Sequence, residues 1–245
     1  MIEVYKIAKD FFEEFVKSYD LDEGNIINTY YYKYRHTYDV VNMMEKITTN
    51  LSEEKKDILK TIAIFHDLGR FVQLEKYKAY DDVKSHFDHA LESVKVLEEN
   101  NFFKNNNIYE YLQKKMCEAI YFHNKLSIDD CSKEALEYAR YIRDADKLGV
   151  LYRIGDYDKL DEISLDVLEA FKKEKLIDYG ILKTRSDGLL AELAFIFDFN
   201  FDISKAILVK EGILDKRVSV FKDLKGYDDI ASVTSRYKEK IKTLV

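Results

Sequence analysis

The chain has 245 residues, 47% of them hydrophobic and 35% charged, which is enough apolar material to bury a substantial core in one domain and excludes a disordered chain. It has no proline and only 8 glycines, so little interrupts helical hydrogen bonding, and its net charge of -7 argues against a nucleic-acid backbone as the main partner. No apolar run reaches the roughly 18 residues that a membrane span needs, and two cysteines, Cys117 and Cys131, make no disulfide framework, so a reducing, cytoplasmic setting without a membrane partner is expected.

Ile7, Phe11, Phe12, Phe15 and Tyr19 recur at helical spacing, and the acids and lysines among them set the opening segment apart from a secretory signal. Val40, Val41, Met44 and Ile47 mark the next helix. Ser52, followed by Glu53 and Glu54, predicts a cap and an acidic first turn for a helix running through Ile58, Ile62 and Phe65 and stopping near Gly69. A looser stretch is expected over residues 70–84, then a helix from about Ser85 carrying Phe87, Ala90, Leu91, Val94 and Leu97, then an Asn-rich loop over residues 99–107. Further helices are predicted over 108–122, 132–152, 164–175, 186–197, 204–211 and 228–243, with Gly155, Gly180, Gly212 and Gly226 between them or at their ends. The short RVSVF stretch, residues 217–221, is the one hint of strand alternation, and there is no internal repeat. The fold class read from these patterns is all-α, one domain spanning residues 1–245.

All 5 histidines, His36, His66, His86, His89 and His123, lie in the first half of the chain. In IFHDLGR, His66 and Asp67 follow an apolar helix, where burying an ionisable pair costs about several kcal/mol unless a cation such as a metal ion compensates. In YIRDADKLG, Asp144 and Asp146 end a helix carrying Leu136, Ala139, Ile142 and Ala145. Either one of these carboxylates points inward, or both sit on a solvated face beside Arg143 and Lys147.

An early histidine, a His-Asp pair followed by Gly and a basic residue, and an Asp before Lys-Leu together resemble the HD-domain superfamily of metal-dependent phosphohydrolases, over about residues 32–151. The resemblance implies a helical bundle with His36, His66, Asp67 and Asp146 as metal ligands, Asp146 being preferred to Asp144 because it directly precedes Lys147-Leu148. Part of that superfamily has two further histidines and binds a second ion; His89 in SHFDHALESVKVL and His123 in AIYFHNKLSI stand at the matching places, which leaves His86 as the spare. GRFVQLEKYKAYDDVKSHFDHA is also similar to a largely uncharacterised bacterial branch of the superfamily. The helices of residues 160–245, which contain no histidine, are expected to form a wall of the substrate pocket.

Mixed imidazole and carboxylate ligands suit Mn, Fe, Co, Ni or Zn, and a carboxylate-rich position suits Mg. Such an ion lowers the pKa of a bound water to about 7, and attack of that water on phosphorus is the simplest reaction. The expected activity is therefore hydrolysis of a small phosphorylated substrate, a nucleotide or similar phosphoester. Asp67 is expected to bridge two ions, and Arg70 and Lys147 are expected to supply positive charge to the phosphate. For Lys147 the helix macrodipole is an equal explanation. The chain departs from the superfamily pattern at Gly149, where relatives often have an acid, and at Arg70, where many have lysine; neither position is a ligand. Two other readings share these ligands, a non-catalytic nucleotide-binding regulator and a di-iron oxygenase.

Overall fold

A computed structural model describes residues 3–19, 21, 30–80, 82–155 and 159–243. The chain divides into two compact units, Met1–Asp146 and Lys147–Val245. Regular structure among the described residues is entirely helical, so the all-α expectation holds. No helix among them is long and apolar enough to cross a membrane.

The first unit contains α1 (Val4–Val16), α2 (Tyr30–Ile47), α3 (Glu53–Phe65), α4 (Leu68–Tyr77), α5 (Asp82–Ser85), α6 (His89–Glu99), α7 (Phe102–Asn105) and α8 (Glu110–Phe122), and α9 (Lys133–Tyr152) runs across the division. Ser52 caps α3 as its sequence predicts, its side chain accepting from the Lys55 amide. Asp57 of α3 accepts from the Val4 and Tyr5 amides, so a carboxylate of one helix satisfies the orphan donors at the start of another and fixes α1 on α3. Phe11, Phe12, Phe65, Phe71 and Phe102 pack edge to face around this junction, with ring centroids as close as 4.8 Å for Phe65 and Phe102.

Residues 70–84 are more ordered than their sequence predicts. α4 opens directly after Asp67 and packs along α6, burying Leu68, Phe71 and Leu74. The approach is so close that a Cβ on Gly69 would lie 2.2 Å from the carbonyl oxygen of His89, which explains the glycine. Ser93 Oγ accepts from the Gly69 amide at 2.8 Å and stands 2.8 Å from the His66 carbonyl oxygen, tying the α3–α4 junction to α6. α6 itself starts at His89 rather than near Ser85, because Asp88 caps it by accepting from the Ala90 and Leu91 amides. The expected Asn-rich loop is interrupted by α7, whose Phe102 and Phe103 are drawn into the core.

The second unit contains α10 (Leu165–Phe171), α11 (Arg185–Leu193), α12 (Asp202–Lys210), α13 (Ile213–Ser219) and α14 (Tyr227–Lys242), with 3-10 turns over Tyr179–Ile181 and Ala194–Asp198. Thr184 and Asp187 form a capping box on α11, and the Asp187 carboxylate also accepts from the amide and hydroxyl of Ser164, the cap of α10. The RVSVF segment is the end of α13 and the turn that follows it, which corrects the strand hint. Ile213, Leu214, Arg217, Val218 and Phe221 are buried at spacings of three and four, and this longer pattern outweighs a five-residue alternation. Arg217 is buried because it pairs with Glu192 and donates to the Arg153 carbonyl oxygen at 3.1 Å. Both cysteines are free thiols; burial and Glu98 push Cys117 up to about 12, and burial and Glu118 push Cys131 up to about 11, which leaves neither a nucleophile at neutral pH.

Candidate metal centre

The six expected ligands come from five places in the first unit. His36 projects from the middle of α2, His66 and Asp67 form the α3–α4 junction, His89 opens α6, His123 follows the last residue of α8, and Asp146 lies on α9. All are buried except Asp146, whose side chain keeps 26% of its exposure.

Asp67 stands in the middle, and its two oxygens face different histidine pairs. Oδ2 lies 3.7 Å from His36 Nε2 and 3.5 Å from His66 Nε2. Oδ1 lies 3.4 Å from His89 Nε2 and 3.8 Å from His123 Nε2. Asp146 Oδ1 closes the first side, 3.0 Å from His36 Nε2 and 3.7 Å from His66 Nε2. Three overlapping groups, His36–His66–Asp67, His66–His123–Asp146 and Asp67–His89–His123, each bring ligand atoms within 4.8 Å of one another.

The fit to a cation rests on where the other ring nitrogens point. His66 Nδ1 faces the Ala63 carbonyl oxygen at 2.7 Å, His123 Nδ1 faces the Ile120 carbonyl oxygen at 2.6 Å, and His89 Nδ1 faces the Asp82 carboxylate at 2.5 Å. Each Nδ1 is therefore the donor, which leaves Nε2 of the neutral ring as a bare lone pair turned inward. His66 Nε2 is buried with no hydrogen-bond partner. The Nε2 atoms of His89 and His123 face each other across 3.1 Å, and for two lone pairs only an electrophile between them makes that approach favourable. The residues thus fit divalent metal, with His36, His66, Asp67 and Asp146 on one side and Asp67, His89 and His123 on the other.

Electrostatics favour the same neutral state at three of the four histidines, His66 being the exception. Burial holds His36 and His89 below the ordinary histidine value, aided by Lys33 and Arg70 respectively, and it takes His123 down to about 3 with the help of His89 and His66. For Asp67, burial opposes ionisation, but Lys33, His66, His89 and Arg70 prevail and hold the carboxyl well below the usual range. Asp146 is likewise held low against its burial, by its hydrogen bond with His36 and by the nearby His66. His66 is raised, since Asp67 and Asp146 outweigh burial.

Asp146, and not the fully buried Asp144, enters these groups. His86 is exposed with φ of 49°, away from the cluster. Arg70 lies near the site but is engaged: Nη1 donates to Asp82 Oδ1 at 2.7 Å, to Gln73 Oε1 at 2.7 Å and to the Tyr80 carbonyl oxygen at 3.2 Å, while Nε reaches Asp67 Oδ1 only at 3.7 Å. Lys147 belongs to the second unit and pairs with Asp198, donating to its carboxylate and its carbonyl oxygen.

Sequence reasoning missed four contributors. Lys33, one turn before His36, donates to Asp67 Oδ2 at 2.8 Å. Asp82 orients His89 and is itself held by Arg70 and by the buried Gln73, whose Nε2 donates to Oδ1 at 2.9 Å. Arg143, which the sequence offered only as a partner for surface acids, donates to the carbonyl oxygens of His123 and Lys125, so it caps the end of α8 and steadies His123. The i, i+3 spacing of Lys33 and His36 was a readable signal; Asp82, Gln73 and Arg143 had none. A groove of about 1000 Å³ lined by Tyr5, Lys60, Tyr109 and Leu112 contains none of the cluster residues.

No curated protein and no solved structure matches the chain. The model of the HD domain family matches residues 34–151, the stretch that contains all six of the expected ligands. The chain accordingly carries an HD domain over residues 34–151.

Proposed function

We propose that this chain hydrolyses a small phosphoester, foremost a nucleotide, with divalent metal that His36, His66, Asp67 and Asp146 would hold on one side and Asp67, His89 and His123 on the other. The observation that carries the reading is the division of the Asp67 carboxylate, with Oδ2 turned to His36 and His66 and Oδ1 to His89 and His123. When bound, such ions supply Lewis acidity, which activates water and neutralises charge at phosphorus.

The chain's own groups keep the ligands ready for that chemistry. Main-chain carbonyls and Asp82 hold the protons of three imidazoles on their outer nitrogens, and burial excludes competing water. Arg70 and Lys147 already hold carboxylates, Asp82 and Asp198, so the phosphate contacts expected of them require those partners to be displaced.

The test is elemental analysis of the purified protein, paired with phosphate release from a nucleotide and phosphoester panel with Mn, Co, Ni, Fe and Mg, for wild type and Asp67→Ala. Bound metal with turnover lost in the variant is the expected result. Metal with dioxygen-dependent turnover and no phosphate release would move the assignment to an oxygenase. Nucleotide binding without turnover under any metal would make the chain a regulator.

A further inference from the structure

We infer that Lys33 is the cation that binds the substrate's phosphate, resting on Asp67 until metal takes that carboxylate. The inference rests on the metal-dependent reading above and assigns its substrate contact to a residue of α2.

The three cationic side chains that the site or its sequence motifs present differ in what holds them. Arg70 serves Asp82 and Lys147 serves Asp198, and both of those acids lie outside the ligand set. The Lys33 ammonium is paired instead with Asp67 Oδ2, one of the atoms that a metal would claim. A metal ion and the ammonium would compete for that oxygen, because their charges repel and each draws on the same carboxylate charge. Loading the centre would therefore weaken the Lys33 salt bridge while leaving those of Arg70 and Lys147 as they are.

A displaced Lys33 has no easy route to bulk water. Its side chain keeps only 12% of its exposure, and the nearby Tyr80 ring, 5.3 Å from Nζ, offers a resting place that is not an anion. Asp67 and Asp146 balance one divalent ion, so with one ion bound the Lys33 charge is uncompensated, and a second ion adds two more positive charges. Such a site demands a multiply charged anion, and a phosphate group beside the metal meets that demand. Lys33 sits one helical turn from His36, so a phosphate lying between ammonium and metal needs only rotations of a flexible four-carbon stem.

The experiment uses the metal-loaded full chain, with Lys33→Gln and Lys33→Arg. Bound metal is measured by elemental analysis, and affinity for inorganic phosphate is measured by calorimetry. The Gln variant is expected to keep the wild-type number of ions, since a competitor for Asp67 has gone, and to bind phosphate about tenfold or more weakly. The Arg variant is expected to restore most of that affinity. Unchanged phosphate affinity in a metal-replete Gln variant overturns the inference and leaves the hydrolase reading standing. Loss of metal in both variants overturns it too, making Lys33 a structural support for Asp67. A wild-type protein that takes up no metal refutes the hydrolase reading and this inference with it.

Discussion

Removing the Asp82 carboxylate should convert a two-ion centre into a one-ion centre. Asp82 touches no proposed ligand atom; it orients His89 through Nδ1 and takes further hydrogen bonds from Arg70 and Gln73. In Asp82→Ala the His89 ring loses the partner that fixes its tautomer, and such outer hydrogen bonds are worth about 10–100-fold in metal affinity, or about 1.4–2.7 kcal/mol. The loss falls on one side only, because His66 is oriented independently, by the Ala63 carbonyl. Stability should fall as well. The Gln73 amide, fully buried, is left with an unpaired donor at a cost of about 1–3 kcal/mol, and the Arg70 guanidinium loses its acid. Asp82→Asn, which keeps one acceptor oxygen, should be the milder variant. The assay is metal content after dialysis against buffered free Mn or Co, run as a titration for wild type and both variants. Two ions in wild type and one in Asp82→Ala across about a decade of free metal is the expected result. Two ions retained at wild-type affinity, or both lost together, would refute the argument that Asp82 governs the His89 side alone.

Gly69→Ala should cost about 1–3 kcal/mol and reduce metal retention, because the new Cβ meets backbone atoms, the His89 carbonyl at 2.2 Å and the Ser93 amide at 2.9 Å, and neither can turn aside; an unchanged melting temperature would contradict this. Asp187→Asn should destabilise the chain by about 2–4 kcal/mol at pH 7, since the carboxylate satisfies the Ser164, Lys183 and Thr184 amides and caps α11. Burial opposes ionisation of Asp187, yet those amides and the Ser164 hydroxyl hold its pKa below the usual value. A lowered folded-state pKa contributes stability above the unfolded value of about 3.9 and loses it as pH falls through the folded value. The gap between wild type and variant should therefore narrow towards pH 2, and thermal melts followed by circular dichroism that keep a constant gap would exclude this account.

The candidate ligands were legible in the sequence through the motif order that resembles the HD-domain superfamily, whose members are chemically conspicuous. Five histidines in 245 residues are few, His66-Asp67 interrupts an apolar helix, and an Asp before Lys-Leu closes the order. Helix periodicity was equally legible where the apolar stripe was long, as in α1 and α3, and failed where it was short. Residues 70–84 looked loose because α4 owes its place to packing on α6 through Gly69 and Ser93, contacts from another part of the chain. RVSVF looked extended because five residues are too few to separate a period of 2 from one of 3.6.

Composition and spacing by themselves determined an all-α chain, since helix propensity is a property of single residues and near neighbours, and the resemblance to the HD-domain superfamily pointed to the residues that could hold metal. Only the tertiary structure decided how those residues meet. It brought Asp146 into the cluster of histidines, turned the two oxygens of Asp67 to opposite histidine pairs, and set Asp82 behind His89 and Lys33 on Asp67. Each of these depends on the angle and height at which one helix crosses another, and a crossing is a long-range packing outcome that leaves no periodic mark on the segments it joins.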